Sequence, residues 1–123
     1  MREVTKLPLI VNGDIRDAET ARAALAASGA DGVMIGRAAY GAPWLPGQIG
    51  AALLGDTPAK TPSGDDLAQL VGEHVDAMLS HYGLELGLRN ARKHIDWYAA
   101  HLPQELRKSP LRQIGSASCW ETE

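Results

Sequence analysis

Short apolar runs alternate with one helical repeat of small residues in the first half of the chain. Leu9, Ile10 and Val11 are continuous and apolar, the pattern of a strand covered on both faces, and Gly13 breaks the run. Asp17 is placed to cap a helix in which Ala18, Ala21, Ala24, Leu25 and Ser28 recur on one face, and Gly29 is placed to close it. A second apolar run, Gly32 to Ile35, ends at Gly36. Pro43 then opens a helix predicted over Trp44 to Leu54, with Gly55 behind it. Strand, helix and strand in this order predict a parallel βαβ unit whose two glycine turns lie at the same end.

The second half changes period. From Asp65 to Tyr82 the residues Leu67, Leu70, Val71, His74, Val75, Met78 and Tyr82 fall on one helical stripe, and Gly83 ends it. A second helix is predicted from about Leu86 to His101, with Leu88, Ala91, Ile95, Tyr98 and Leu102 as its core stripe and Pro103 just beyond. His74, Tyr82 and Tyr98 read as core residues whose polar atoms find partners. A third helical stretch begins near Gln104. Between the halves, residues 56–64 carry Pro58, Pro62, two threonines and Gly64, and read as a linker. The expected organisation is an α/β part over 1–55, the linker, a small all-α part over 65–108, and a disordered tail over 109–123.

Composition narrows the function classes. The 123 residues carry a net charge of −3, so an anionic partner must be held by a local patch. No apolar run approaches the roughly 20 residues of a membrane span, and Met1 to Val4 does not begin a signal peptide. The expected setting is cytoplasmic. The single cysteine, Cys119, forms no internal disulfide, and no Cys/His spacing suggests a metal site.

Two constellations carry candidate chemistry. The first is the pair of strand ends, Asn12-Gly13-Asp14 and Gly36-Arg37. A glycine there brings backbone N–H groups close to a ligand, and Arg37 adds a planar cation suited to phosphate. Ordinary strand-end turns with a surface arginine remain the plainer reading. The second constellation is the helix near Leu86 to His101, where Arg89, Lys93 and Trp97 recur every four residues opposite the apolar stripe. Asn90, His94 and His101 lie on the flank. Cations beside an aromatic ring suit phosphate contact with base or ribose stacking. A solvated charged face, with Arg92 pairing to Asp96, is the alternative.

The wording of these segments resembles the tRNA-dihydrouridine synthases, the bacterial branch in particular. The similar residues are Val11 to Asp14, Gly29 to Ala39, Gly41-x-Pro43-Trp44, His74, His81-Tyr82-Gly83, and Gly87 to Tyr98 with its Ala-Arg-Lys-His-x-x-Trp-Tyr string. They are collinear over about residues 7–108. The resemblance implies a C-terminal fragment of a (β/α)₈ barrel that binds FMN, followed by a helical domain that grips tRNA. It implies NADPH-driven reduction of the uridine 5,6 double bond. Its FMN-phosphate residues would be Asn12, Gly13, Asp14, Gly36 and Arg37, and its RNA-binding residues Arg89, Arg92, Lys93, His94 and Trp97.

The resemblance also implies that the proton-donating cysteine and the flavin-ring contacts come from earlier strands. Cys119 matches no family motif, and no catalytic residue is assigned. Tyr40 and Ala42 stand where the family often has Gln and Arg. Two strands cannot close a barrel, so Leu9, Val11, Val33 and Ile35 would lack partners on their inner face. The chain alone is therefore expected to bind FMN weakly or not at all and to self-associate through its strand edges. A non-catalytic RNA-binding or degenerate remnant of such an enzyme is the other function these residues allow, and flavin absorbance would separate the two.

Overall fold

The computed structural model describes residues 2–102. The chain divides into two compact units between Thr61 and Pro62.

The first unit is α/β. Strand β1 (Ile10–Asn12) pairs in parallel with β2 (Gly32–Met34), in the register Ile10 to Gly32, Val11 to Val33 and Asn12 to Met34. Helix α1 (Ala18–Ser28) makes the crossover. Its start is set by a capping box. The Asp17 carboxylate accepts from the Thr20 N–H at 2.7 Å, and the Thr20 hydroxyl accepts from the Asp17 N–H at 3.1 Å. These bonds, the backbone one foremost, hold the Asp17 carboxyl below the usual carboxylate range. At the other end Gly29 takes φ +64°, the left-handed cap expected of it.

Helix α2 (Leu45–Leu54) starts two residues after Pro43, with Pro46 in its first turn. The core of this unit is Ile15, Ala21 and Ile49, against which Ala24, Val33, Ile35, Leu45 and Leu53 pack. The small residues of α1 let α2 approach closely. There the Arg22 guanidinium donates to the Ala52 carbonyl at 2.8 Å.

The face of the sheet that packs differs from the sequence expectation. Val33 and Ile35 are not the orphaned inner face, because they lie against the helices. The alternate positions are the open ones: Ile10 is 57% and Met34 46% exposed. The run at Leu9 to Val11 is thus covered on one side only. Strand side chains alternate, so a shift of one residue exchanges the faces.

The second unit is an αα-hairpin of α3 (Gly64–Tyr82) and α4 (Leu84–Ala100), joined at Gly83. Residues 56–63 carry no helix or strand. The side-chain amide of Gln48 donates to the Ala59 carbonyl at 2.8 Å and to the Thr61 hydroxyl at 3.2 Å.

Met78 of α3 packs with Gly87, Ala91 and Tyr98 of α4 as the buried residues of the hairpin. This corrects the stripe predicted for α4. Leu88 and Ile95 are each 41% exposed, while Gly87, Ala91 and Tyr98 are buried and His94 half-buried. Ala91 and Tyr98 are buried as expected, but Gly87 and His94 replace Leu88 and Ile95, so the packed face is turned by about half a residue, roughly 50°. Tyr82 is also not core: it is 48% exposed, with the His81 ring edge-on at 4.6 Å. The stretch from Gln104, the tail and Cys119 lie outside the described residues.

The arrangement as a whole is the expected α/β fold followed by helices, consistent with part of a barrel and a small helical domain. No helix among the described residues is long and apolar enough to cross a membrane.

Candidate functional site

Parallel pairing of β1 and β2 puts their C-terminal ends side by side. Arg37 and Asp14, 23 residues apart in sequence, meet there at 3.4 Å. Both side chains are more than four-fifths exposed, so the pair holds geometry more than it adds stability. Asp14 has φ +44°, a left-handed conformation that a short polar side chain tolerates better than most. That turn aims its carboxylate back across the strand ends.

The two glycines leave room at the same edge. A side chain added at Gly13 would meet nothing within 4 Å, and one at Gly36 only Met34 Sδ at 4.0 Å. Arg37 opens a short 3-10 turn, Arg37–Ala39, whose first bond runs from the Ala39 N–H to the Gly36 carbonyl at 3.0 Å. The Arg37 and Ala38 N–H groups precede that bond. Asn12 ends β1 with its amide exposed. An exposed guanidinium, an amide and unobstructed backbone form a donor set that fits a phosphate.

Of the other predicted residues, the structure puts Arg89, Arg92 and Lys93 on the exposed side of α4. Arg89 pairs with Glu85 one turn earlier, at 3.8 Å. His94 and Trp97 are half-buried instead, with their rings 4.9 Å apart and edge-on. The His94 ring lies in the seam between helices, 4.7 Å from His74. His74 Nδ1 and the Tyr98 hydroxyl are 2.9 Å apart, which gives both the partner expected of core residues. Burial raises the Tyr98 hydroxyl above the usual phenol range. Among the described residues no group of three or more His, Cys, Asp or Glu side chains could hold a metal ion.

Burial, and then the charge of nearby His74, hold His94 below the usual imidazole value of 6.5. The rings facing it are His74 from α3 and Trp97 from α4. The folded state therefore binds a proton less readily than the unfolded chain. His94 contributes its stability fully above about pH 6.5 and loses it as the pH falls through the depressed folded value. Thermal melts at pH 7.5 and 5.0 are expected to show a larger drop in midpoint for the native chain than for His94→Gln. Equal drops would remove His94 from the account.

Together these features define an α/β unit whose strand ends carry the Arg37–Asp14 pair, followed by a hairpin that exposes Arg89, Arg92 and Lys93 on α4. The chain belongs to the dihydrouridine synthase family, whose model, dihydrouridine synthase (Dus), matches residues 1–118. A "probable tRNA-dihydrouridine synthase" of Rhodobacter capsulatus is 49% identical over 118 residues, covering 96% of this chain and 36% of that protein. Proteins of the same description from Rickettsia conorii and Mycobacterium leprae are 46% and 39% identical. Those two matches cover 84% and 88% of this chain, and 31% and 29% of the respective relatives. The chain spans about a third of the length of the curated relatives it matches.

Proposed function

We propose that this chain is the part of a tRNA-dihydrouridine synthase that anchors the phosphate of FMN and grips tRNA through α4. The observation that carries this reading is family membership over residues 1–118. The strand-end geometry supports the cofactor half. Arg37 and Asn12 supply donors, and Gly13 and Gly36 let backbone N–H groups approach. Asp14 steers the Arg37 guanidinium and does not itself touch the phosphate, because a carboxylate beside that anion would be repelled. FMN, reduced by NADPH, would supply the hydride for the uridine 5,6 double bond. No catalytic residue is assigned to this chain.

In the whole protein, the open face with Ile10 and Met34 would meet the other barrel strands. In the chain alone, that face and the strand edges favour self-association. Work on tRNA sets the protein in the cytoplasm.

The outer face of α4 supports the RNA half. Arg89, Arg92 and Lys93 reach phosphates, while His94 and Trp97 contribute only the ring edges left outside the seam. Each phosphate contact releases counterions, so its loss shows in the salt dependence. Lys93→Ala is expected to weaken tRNA binding by the full chain and to reduce the slope of log affinity against log salt by about 1. Fluorescence anisotropy across a salt series measures both. Unchanged affinity and slope would refute the assignment of this face to RNA.

A further inference from the structure

The corner where α3 turns into α4 holds a shallow cavity of about 430 Å³, lined by Tyr82, Gly83, Leu84, Glu85, Leu86 and Arg89. Its lining is about half apolar and open to water, with Tyr82, Leu84 and Leu86 all exposed. The edge-on His81 ring steadies that tyrosine. At the rim stands the Arg89 guanidinium, paired at 3.8 Å with Glu85, the one carboxylate of the lining. From Arg89 the exposed cations continue along α4 through Arg92 and Lys93.

A half-polar hollow that holds an aromatic ring, at the head of a row of cations, matches the two chemistries of a nucleotide: a flat base that stacks, and a phosphate that pairs with a guanidinium. We infer that this corner is a binding site for one unpaired RNA nucleotide, its base against Tyr82 and Leu86 and its phosphate on Arg89. A paired base stays in its helix and does not enter the cavity, so the site selects single-stranded or splayed-out residues. Arg89 exchanges Glu85 for the phosphate as the nucleotide docks. The inference rests on the reading that α4 lies against RNA, and it adds which part of the RNA is held and by what.

The test uses the full chain, fluorescein-labelled decauridine and an RNA duplex of the same length, with anisotropy measured at two salt concentrations. Tyr82→Ala is expected to weaken decauridine binding about tenfold, to leave the duplex unaffected and to leave the salt slope unchanged. Tyr82→Phe keeps the ring and is expected to bind as the native chain does, which separates stacking from a folding defect. Native decauridine affinity in Tyr82→Ala overturns the site. If RNA still binds and responds to Lys93→Ala, only the cavity assignment has failed. If neither RNA binds the native chain, the RNA reading of α4 fails, and the site with it.

Discussion

Gly87→Ala is expected to destabilise the α3–α4 hairpin by up to about 2 kcal/mol, although alanine is the better helix former. An added methyl at Gly87 would lie 2.9 Å from Leu79 Cα and 3.0 Å from the Met78 carbonyl oxygen. Both are backbone atoms, so no rotamer change relieves the clash and the helices must move apart. Overpacking of this kind costs about 1–3 kcal/mol, and the gain in helix propensity offsets about 1. Separation would also loosen Met78, Ala91 and Tyr98 and stretch the 2.9 Å contact between His74 and Tyr98. Gly72 supplies the control. It lies within α3, and a methyl there meets nothing within 4 Å. Gly72→Ala should therefore stabilise the hairpin by up to about 1 kcal/mol. Amide exchange along α3 and α4 reads both effects. Equal shifts in the same direction would contradict the close crossing at Gly87.

The same glycine explains why part of this fold was hidden in the sequence. Helix caps act within a few residues, so Asp17, Gly29 and Gly83 mark their boundaries directly. Packing faces depend on the partner. Counting large apolar residues picks Leu88 and Ile95 for the face of α4, but the crossing is made where side chains are smallest, at Gly87 and Ala91. His94 enters the seam beside the His74 ring, although a hydropathy pattern places a histidine at that position on the flank. The strands show the same limit. Leu9, Ile10 and Val11 are all apolar, and a run without alternation cannot tell which face the helices cover. The meeting of Arg37 with Asp14 was legible, because strand ends in a parallel βαβ unit come together whichever face is buried. Tyr82 keeps the helical period to the last turn of α3, yet it is 48% exposed, because the hairpin no longer covers it there.

Arg37→Ala is expected to lower affinity for the FMN phosphate about ten- to a hundredfold. A hydrogen bond to a charged group contributes roughly 1.5–3 kcal/mol, and a guanidinium donates two such bonds in a fixed fork. Lysine keeps the charge but not the fork, so Arg37→Lys should fall between native and alanine. Asp14→Asn separates steering from contact. If Asp14 orients the guanidinium across the 3.4 Å gap, its loss weakens phosphate binding; if Asp14 only repels the anion, its loss strengthens it. The comparison that isolates the phosphate is FMN against riboflavin, titrated into the full chain while the Gly36, Arg37 and Ala38 amide shifts are followed. FMN and inorganic phosphate should move these amides in the native chain, riboflavin should not, and Arg37→Ala should abolish the response. Equal shifts with riboflavin would place the flavin ring, not its phosphate, at the strand ends. The glycine turns would then line a site for the flavin ring, and the phosphate role of Arg37 would fall.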